Sequence, residues 1–76
     1  MVRAYILVST QPGRAIEVVT RMRGQAGVAQ ADAVTGEYDA IATLEAEDVG
    51  AVGALIVEHI QRIAGVTRTV TCLAIE

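Results

Sequence analysis

The stretch that decides the fold is residues 28–46, VAQADAVTGEYDAIATLEA, in which two strand-like runs flank a short glycine-containing link. The first run, residues 28–35, alternates weakly between apolar and polar side chains, and the second run, residues 38–46, is more apolar. A tight link such as Gly36-Glu37 between two strand-like runs is typical of an antiparallel β-hairpin. The sequence therefore predicts strands two and three of a sheet, joined by a short turn.

Strand-like runs also occur at both ends of the chain. Residues 2–9 (VRAYILVS) are rich in β-branched side chains and predict strand one, while residues 66–75 (VTRTVTCLAI) alternate and predict strand four. After strand one, apolar residues recur at helical spacing and predict helix one over residues 12–23. We expect Thr10 to cap this helix and Gly24 to end it in a left-handed conformation.

A second helical pattern follows strand three. Apolar residues recur at helical spacing over residues 49–63, and the preceding Glu47 and Asp48 place negative charge where a helix N-terminus favours it. Gly50 and Gly53 fall on nearly one face of this helix, although each costs about 1 kcal/mol relative to Ala. We expect these glycines to pack closely against the sheet or against a neighbouring chain.

The predicted order βαββαβ is that of an α+β, ferredoxin-like fold. Right-handed crossovers place both helices on one face of a four-stranded antiparallel sheet, so the other face has nothing in this chain to cover it. Strand one presents Ile6 or Leu7 to that face, and strand four presents Leu73 and Ile75 or their alternates. We therefore expect a second copy to cover the face, which makes the protein at least a dimer.

Length and composition favour the same conclusion. A chain of 76 residues is expected to form a single domain over residues 1–76, and so small a domain usually needs an additional stabilising device. Cys72 is the only cysteine and His59 the only histidine, so the sequence offers no internal disulfide and no cluster with the spacing of a metal site. Self-association is the stabilising device that remains.

The sequence argues against two kinds of partner, nucleic acid and the interior of a membrane. Six cationic residues, all arginine, are scattered along a chain of net charge −3, so we expect no direct binding of nucleic acid by this chain. The longest run of small or apolar residues, 49–57, is too short to span a bilayer. No signal-peptide pattern opens the sequence, and a cytoplasmic location is expected.

Three motifs together resemble the effector-binding (RAM) domain of the Lrp/AsnC family. These are the hairpin GEYD at residues 36–39, Gly65-Val66 after the second helix, and TRTVT at residues 67–71. The likeness extends over essentially the whole chain. Full-length members carry an N-terminal helix-turn-helix domain that this sequence lacks, so it is similar to the stand-alone form of the domain.

The resemblance implies a ferredoxin-like domain of the dimeric α+β-barrel type, which dimerises through its sheets and assembles dimers into rings. It also implies that a free amino acid binds between dimers, and that the protein influences transcription indirectly, with full-length Lrp/AsnC-type regulators as possible partners. The positions that match the family's effector site are Gly36, Glu37, Tyr38, Asp39, Thr69 and Thr71.

The chemistry of these residues suits a zwitterion. Asp39 can accept a charge-assisted hydrogen bond from an ammonium group, and backbone N–H groups near Gly36 and Glu37 can hold a carboxylate. Thr69 and Thr71, two apart on one strand face, add hydroxyl groups. A structural interpretation stays open, in which Gly36 is only a turn glycine, Asp39 caps the turn and the threonines form a solvent-facing strand surface.

Two other functions remain as alternatives. An ACT-like amino-acid-binding domain has the same order of elements and would place its ligand loop at residues 11–14. A small enzyme of the dimeric α+β-barrel type would need a proton-transfer group or a cofactor-stacking aromatic residue. We expect neither catalytic residues nor a cofactor, because His59 is expected to be a half-buried packing residue and Cys72 a small core residue.

Overall fold

The computed structural model describes residues 1–75, whose elements follow the order βαββαβ. The strands are β1 (Val2–Thr10), β2 (Val28–Ala33), β3 (Ala40–Ala46) and β4 (Val66–Leu73). The helices are α1 (Ala15–Arg23) and α2 (Val49–Leu55), and α2 continues as a π-helical segment, Ile56–Ile60. The predicted α+β, ferredoxin-like fold is confirmed.

The sheet has the strand order β2-β3-β1-β4, and every neighbouring pair is antiparallel. Val8 of β1 lies opposite Ala40 of β3 on one side and Thr69 of β4 on the other. Residues that lie opposite one another point to the same face of a sheet. Val8 is fully buried beneath the helices, so this register separates a helix-covered face from an uncovered one, which we call the open face.

The core lies between the helix-covered face and the two helices. Central strands supply small and branched residues, and the helices add the apolar residues that were predicted from their spacing. The fully or nearly fully buried members are Ala4, Ile6, Val8, Ala31, Ala40, Ala42, Leu44 and Ala46 of the sheet and Val18, Val19, Met22, Val52, Ile56, Ile60 and Ile63 of the helical layer. Burial of each large aliphatic side chain stabilises the folded state by about 1.5–3 kcal/mol relative to leaving that side chain exposed.

The predicted start of helix one at residue 12, with Thr10 as its cap, is wrong. The backbone N–H of Arg14 donates to the carbonyl of Gln11 at 3.1 Å, and Gly13 has φ +79°. A proline in the second position and a glycine with positive φ in the third are typical of a type II turn. This turn, with Pro12 and Gly13 at its centre, separates β1 from α1, and β1 runs through Thr10.

The end of α1 also differs from the prediction. Gly24 has φ −86°, a right-handed conformation, and its N–H donates to the carbonyl of Arg21 at 3.2 Å. The left-handed backbone falls on Gly27, with φ +85°, immediately before β2. The chain therefore leaves α1 through a turn of several residues and not through one left-handed glycine.

The predicted tight turn between strands two and three is also wrong. The β2–β3 ladder ends at the pair Ala33–Ala40, which leaves a loop of six residues. This loop is closed by the N–H of Val34, which donates to the carbonyl of Asp39 at 3.0 Å. The N–H of Asp39 donates to the carbonyl of Val8 at 2.9 Å, so Asp39 bonds to β1 on one side and to Val34 on the other.

Helix two begins as predicted but ends differently. Asp48 is its N-cap, and one carboxylate oxygen accepts the N–H of Ala51 at 2.7 Å. The α-helix ends at Leu55, because the chain then widens into π geometry in which the N–H of Gln61 donates to the carbonyl of Ile56 at 2.8 Å. The spacing of apolar residues does not predict this widening.

Gly50 and Gly53 do not pack against the sheet, which corrects that part of the prediction. Both are exposed, and a Cβ atom built at Gly53 would meet nothing within 4 Å. Close packing of these glycines against a neighbouring chain stays a prediction. Within residues 1–75, no helix has the length and apolar composition needed to cross a membrane.

Candidate ligand-binding site

Asp39 holds the loop between β2 and β3 against the end of β1. Its Oδ2 atom accepts the backbone N–H of Thr10 at 2.8 Å, and its side chain is only partly buried. The second carboxylate oxygen, Oδ1, accepts no hydrogen bond from the described residues. An ionised carboxylate has acceptor capacity on both oxygens, so Asp39 caps β1 and still has an oxygen free for a cation.

The rest of the loop is open to solvent. Gly36 has φ +119°, and no atom lies within 4 Å of where its Cβ would be. Glu37 is exposed and Tyr38 half-buried. Within the described part of the chain, the backbone N–H groups of Gly36 and Glu37 donate to no backbone carbonyl. Adjacent unpaired N–H groups on a glycine-containing loop are a suitable environment for an anion.

Thr69 and Thr71 lie on β4, opposite Val8 and Ile6 respectively. Thr69 is half-buried, and its Oγ1 accepts from the side-chain amide of Gln61 at 3.2 Å. It lines a shallow depression of about 140 Å³. Thr71 is exposed and lies two residues farther from the loop.

The predicted site residues do not converge on one cavity within a single chain. Asp39 and Thr69 both lie beside the end of β1, but on opposite sides of it. Neighbouring strands are about 4.8 Å apart, so their backbones are separated by about 10 Å. Five surface depressions of the described residues, of about 140–420 Å³, are lined by no residue of the 36–39 loop.

The open face carries an apolar centre with polar ends. At the centre, Leu7 lies opposite Ile41 on one side and Val70 on the other, and Tyr5 lies opposite Cys72. The register settles the alternatives left open by the sequence, because β1 presents Leu7 to this face and Ile6 to the core. Leu73 lies opposite the buried Ala4 and therefore belongs to the helix-covered side.

Cys72 corrects another prediction. It was expected in the core, but it is exposed on the open face because it shares that face with Tyr5. At one end of this face, Arg3 pairs with Glu45 at 3.4 Å. The neighbouring Tyr5 and then Glu45 raise the pKa of the Arg3 guanidinium, which is charged at physiological pH in any case.

A second uncovered surface lies on the outer side of α2. Val49 and Val57 are 57% and 55% exposed, and the intervening outer residues Gly50, Gly53 and Ala54 are exposed as well. We call these five residues the α2 outer face; none of them is charged. Exposed apolar residues that form a continuous surface often mark a site of protein contact.

His59 lies on the helical layer and is half-buried, as predicted. It lines a depression between α1 and the segment that follows α2, together with charged and polar side chains. Within residues 1–75, no group of three or more His, Cys, Asp or Glu side chains is placed to hold a metal ion.

Comparisons with known proteins agree with this architecture. A family model described as the Lrp/AsnC ligand binding domain matches residues 3–76. A hypothetical protein from Pyrococcus horikoshii is 33% identical, with a TM-score of 0.91, and the match covers 100% of this chain and 92% of that one. A protein from Thermus thermophilus is 29% identical, with a TM-score of 0.93 and coverage of 100% and 95%.

A third structure was solved with a bound ligand. It is a transcriptional regulator from Neisseria meningitidis in complex with L-Met, with 22% identity and a TM-score of 0.85. The match covers 99% of this chain and 50% of the regulator, so the present chain spans about half the regulator's length. At this identity, the likeness establishes the shared fold. A comparison with curated proteins found no match.

Proposed function

The chain belongs to the Lrp/AsnC ligand-binding domain family, and from this premise we propose that it is a self-assembling regulatory module that binds a free amino acid. The observation that carries the proposal is the uncommitted Oδ1 oxygen of Asp39, next to a loop whose N–H groups at Gly36 and Glu37 make no backbone bond. These groups offer an acceptor for an ammonium and donors for a carboxylate, which are the two charges of a free amino acid.

The ligand bridges two chains in this proposal. Within one chain, Asp39 and Thr69 stand about 10 Å apart on either side of β1, too far for one α-carbon zwitterion to contact both. A neighbouring chain that supplies Thr69 and Thr71 opposite the loop, with Tyr38 as a flanking wall, would complete the site. The complex of the Neisseria meningitidis regulator with L-Met supports an amino acid as the ligand class.

Two uncovered surfaces support assembly. The open face, centred on Leu7, is suited to a two-fold sheet-to-sheet dimer, because a symmetric pairing covers the same apolar residues on both copies. The α2 outer face is separate and gives each dimer a second contact, which is what a ring of dimers requires. The same contacts would allow co-assembly with full-length relatives, through which the module influences transcription without itself acting as an enzyme.

A thermal-unfolding panel with each standard amino acid at millimolar concentration tests ligand binding. A ligand at about 100 times its Kd stabilises a protein by about 2.7 kcal/mol, which moves the Tm of a domain of this size by about 10–20 °C. We expect a selective rise for one or a few amino acids. A flat panel would overturn amino-acid binding by this chain.

Asp39→Asn is the decisive variant, because the amide oxygen can still accept the Thr10 N–H while the charge for the ammonium is lost. We expect it to reduce the amino-acid-induced rise in Tm. Glu47→Gln is the matched control, since it removes one negative charge from an exposed residue outside the site. The ACT-like alternative predicts that substitution of Gly13, and not of Asp39, abolishes amino-acid binding.

A further inference from the structure

The arginines of this chain fall into two groups. Arg3, Arg14 and Arg23 each pair with a carboxylate, those of Glu45, Glu17 and Asp32 respectively. Arg21, Arg62 and Arg68 pair with no carboxylate among the described residues, although the chain has nine acidic residues and a net charge of −3. Two of these three, Arg21 and Arg62, face the same depression.

That depression lies on the helical layer, on the other side of the sheet from the open face, and has a volume of about 230 Å³. It shares no residue with the 36–39 loop or with the threonines of β4. Its lining is Arg21, Gln25, Glu58, His59, Arg62 and Ile63. We call it the helical-layer depression.

Two helical elements build its walls. Arg21 lies in the last turn of α1, and Gln25 lies in the turn that follows the helix. His59 lies in the π-helical segment and Arg62 in the turn that follows it. Glu58 and Arg62 are four residues apart, a spacing that favours an ion pair on a regular α-helix, but here the two side chains form no ion pair. Short π-helical segments occur frequently at functional sites.

We propose that the helical-layer depression is an oxyanion site that binds a phosphate group. Two guanidinium groups offer planar, forked donors that match phosphate oxygens, and Gln25 and His59 add N–H donors. Glu58 is the one acidic residue in the lining, so the two arginines give the lining a net positive charge. A positive lining attracts a phosphate dianion more strongly than a singly charged carboxylate.

The size of the depression restricts the ligand further. Pockets that enclose a whole small molecule usually measure about 300–1,000 Å³, which is more than this depression offers. It fits one phosphate group, with any organic part left in solvent. Ile63, which is 7% exposed, is the one apolar residue of the lining, and the two arginines are exposed to solvent.

Titration of the ¹⁵N-labelled chain with sodium phosphate, at constant ionic strength maintained with sodium chloride, tests this site. We expect saturable shifts of the amide signals of Gln25, His59 and Arg62. Arg21→Gln and Arg62→Gln should each raise the Kd for phosphate about tenfold, the loss expected for one charge-assisted contact. Glu58→Gln should lower the Kd. Arg3→Gln, which makes the same change in net charge on the open face, should leave it unchanged.

Titration with methyl phosphate distinguishes two sources of the bound phosphate group, a phosphomonoester and free inorganic phosphate. Tighter binding of methyl phosphate than of inorganic phosphate assigns the site to a phosphomonoester, and equal or weaker binding assigns it to free phosphate. Linear shifts spread over the surface, wild-type affinity in both arginine variants, or acetate binding as tight as phosphate would overturn the proposal. None of these outcomes depends on amino-acid binding at Asp39.

Discussion

The carboxylate of Asp39 accepts the backbone N–H of Thr10 at 2.8 Å, across a separation of 29 residues in the chain. The next residue, Gln11, donates its N–H to the carbonyl of Gly65 at 2.8 Å, immediately before β4. The loop after β2, the end of β1 and the start of β4 are thereby joined at one end of the sheet. Asp39 is therefore a structural residue whether or not it also binds a ligand.

Asp39→Ala should lower the free energy of unfolding by about 1–3 kcal/mol, because it leaves the partly buried Thr10 N–H without its acceptor. Asp39→Asn should cost less, since its amide oxygen can take over the bond. Urea denaturation of both variants measures the difference. Equal losses in the two variants would show that the hydrogen bond does not stabilise this end of the sheet.

Asp48→Ala should destabilise the protein by about 1 kcal/mol, because Asp48 caps α2 through the N–H of Ala51. Glu47→Ala is the control: its side chain is exposed and makes no hydrogen bond to the described residues, so its effect should stay within about 0.5 kcal/mol. Thermal unfolding of the two variants compares them directly. A larger loss in the Glu47 variant would contradict the assigned cap.

Gly65→Ala should be more destabilising than Gly36→Ala, although both glycines have positive φ. The backbone strain of an alanine in this region is about 1–2 kcal/mol and applies at both positions. At Gly65 the new Cβ would also come within 3.2 Å of Arg14 and Val18, whereas at Gly36 it would meet nothing. The difference between the urea midpoints of the two variants measures the cost of this steric contact at Gly65. Equal midpoints would show that the contact costs nothing.

Leu7→Asp should dissociate the proposed dimer into monomers, because it places a charge at the apolar centre of the open face. Ile16→Asp is the control: Ile16 is 71% exposed on α1, on the opposite side of the sheet. Sedimentation velocity of the wild type and both variants gives the assembly state. Dimers that persist in Leu7→Asp would place the contact elsewhere.

Cys72 should react with a thiol reagent more slowly in the wild type than in the Leu7→Asp variant. It is exposed on the open face of one chain, so dimerisation through that face would bury it. The rate of labelling by a chromogenic disulfide, measured for both proteins at the same concentration, reports this protection. Identical fast rates would mean that the face stays uncovered.

The order of elements and most of the core could be predicted from the sequence because both depend on local spacing. Ile56, Ile60 and Ile63 recur as a helix requires and are buried. Val49 belongs to the same pattern but is 57% exposed, whereas Val52, three residues further along, is 2% exposed. Spacing alone does not tell where a helix leaves the sheet.

Features that depend on distant contacts could not be predicted. The side of the sheet on which Cys72 lies follows from its register with β1, and the length of the loop before Asp39 follows from bonds that Asp39 makes to β1. Resemblance to a family predicts the candidate site residues by their types and positions in the sequence. The resemblance does not tell which atoms already form hydrogen bonds within the chain. The structure shows this for Asp39, whose Oδ2 atom accepts the N–H of Thr10.

The composition of α2 bears on how long the protein survives in a cell. A short helix that contains Gly50 and Gly53 and then widens into π geometry has little local stability, and such elements open well before the whole domain unfolds. Proteases cleave segments in this transiently open state. We therefore expect α2 to be the first point of degradation, and a chain seated on the α2 outer face to extend the protein's lifetime by holding the helix closed.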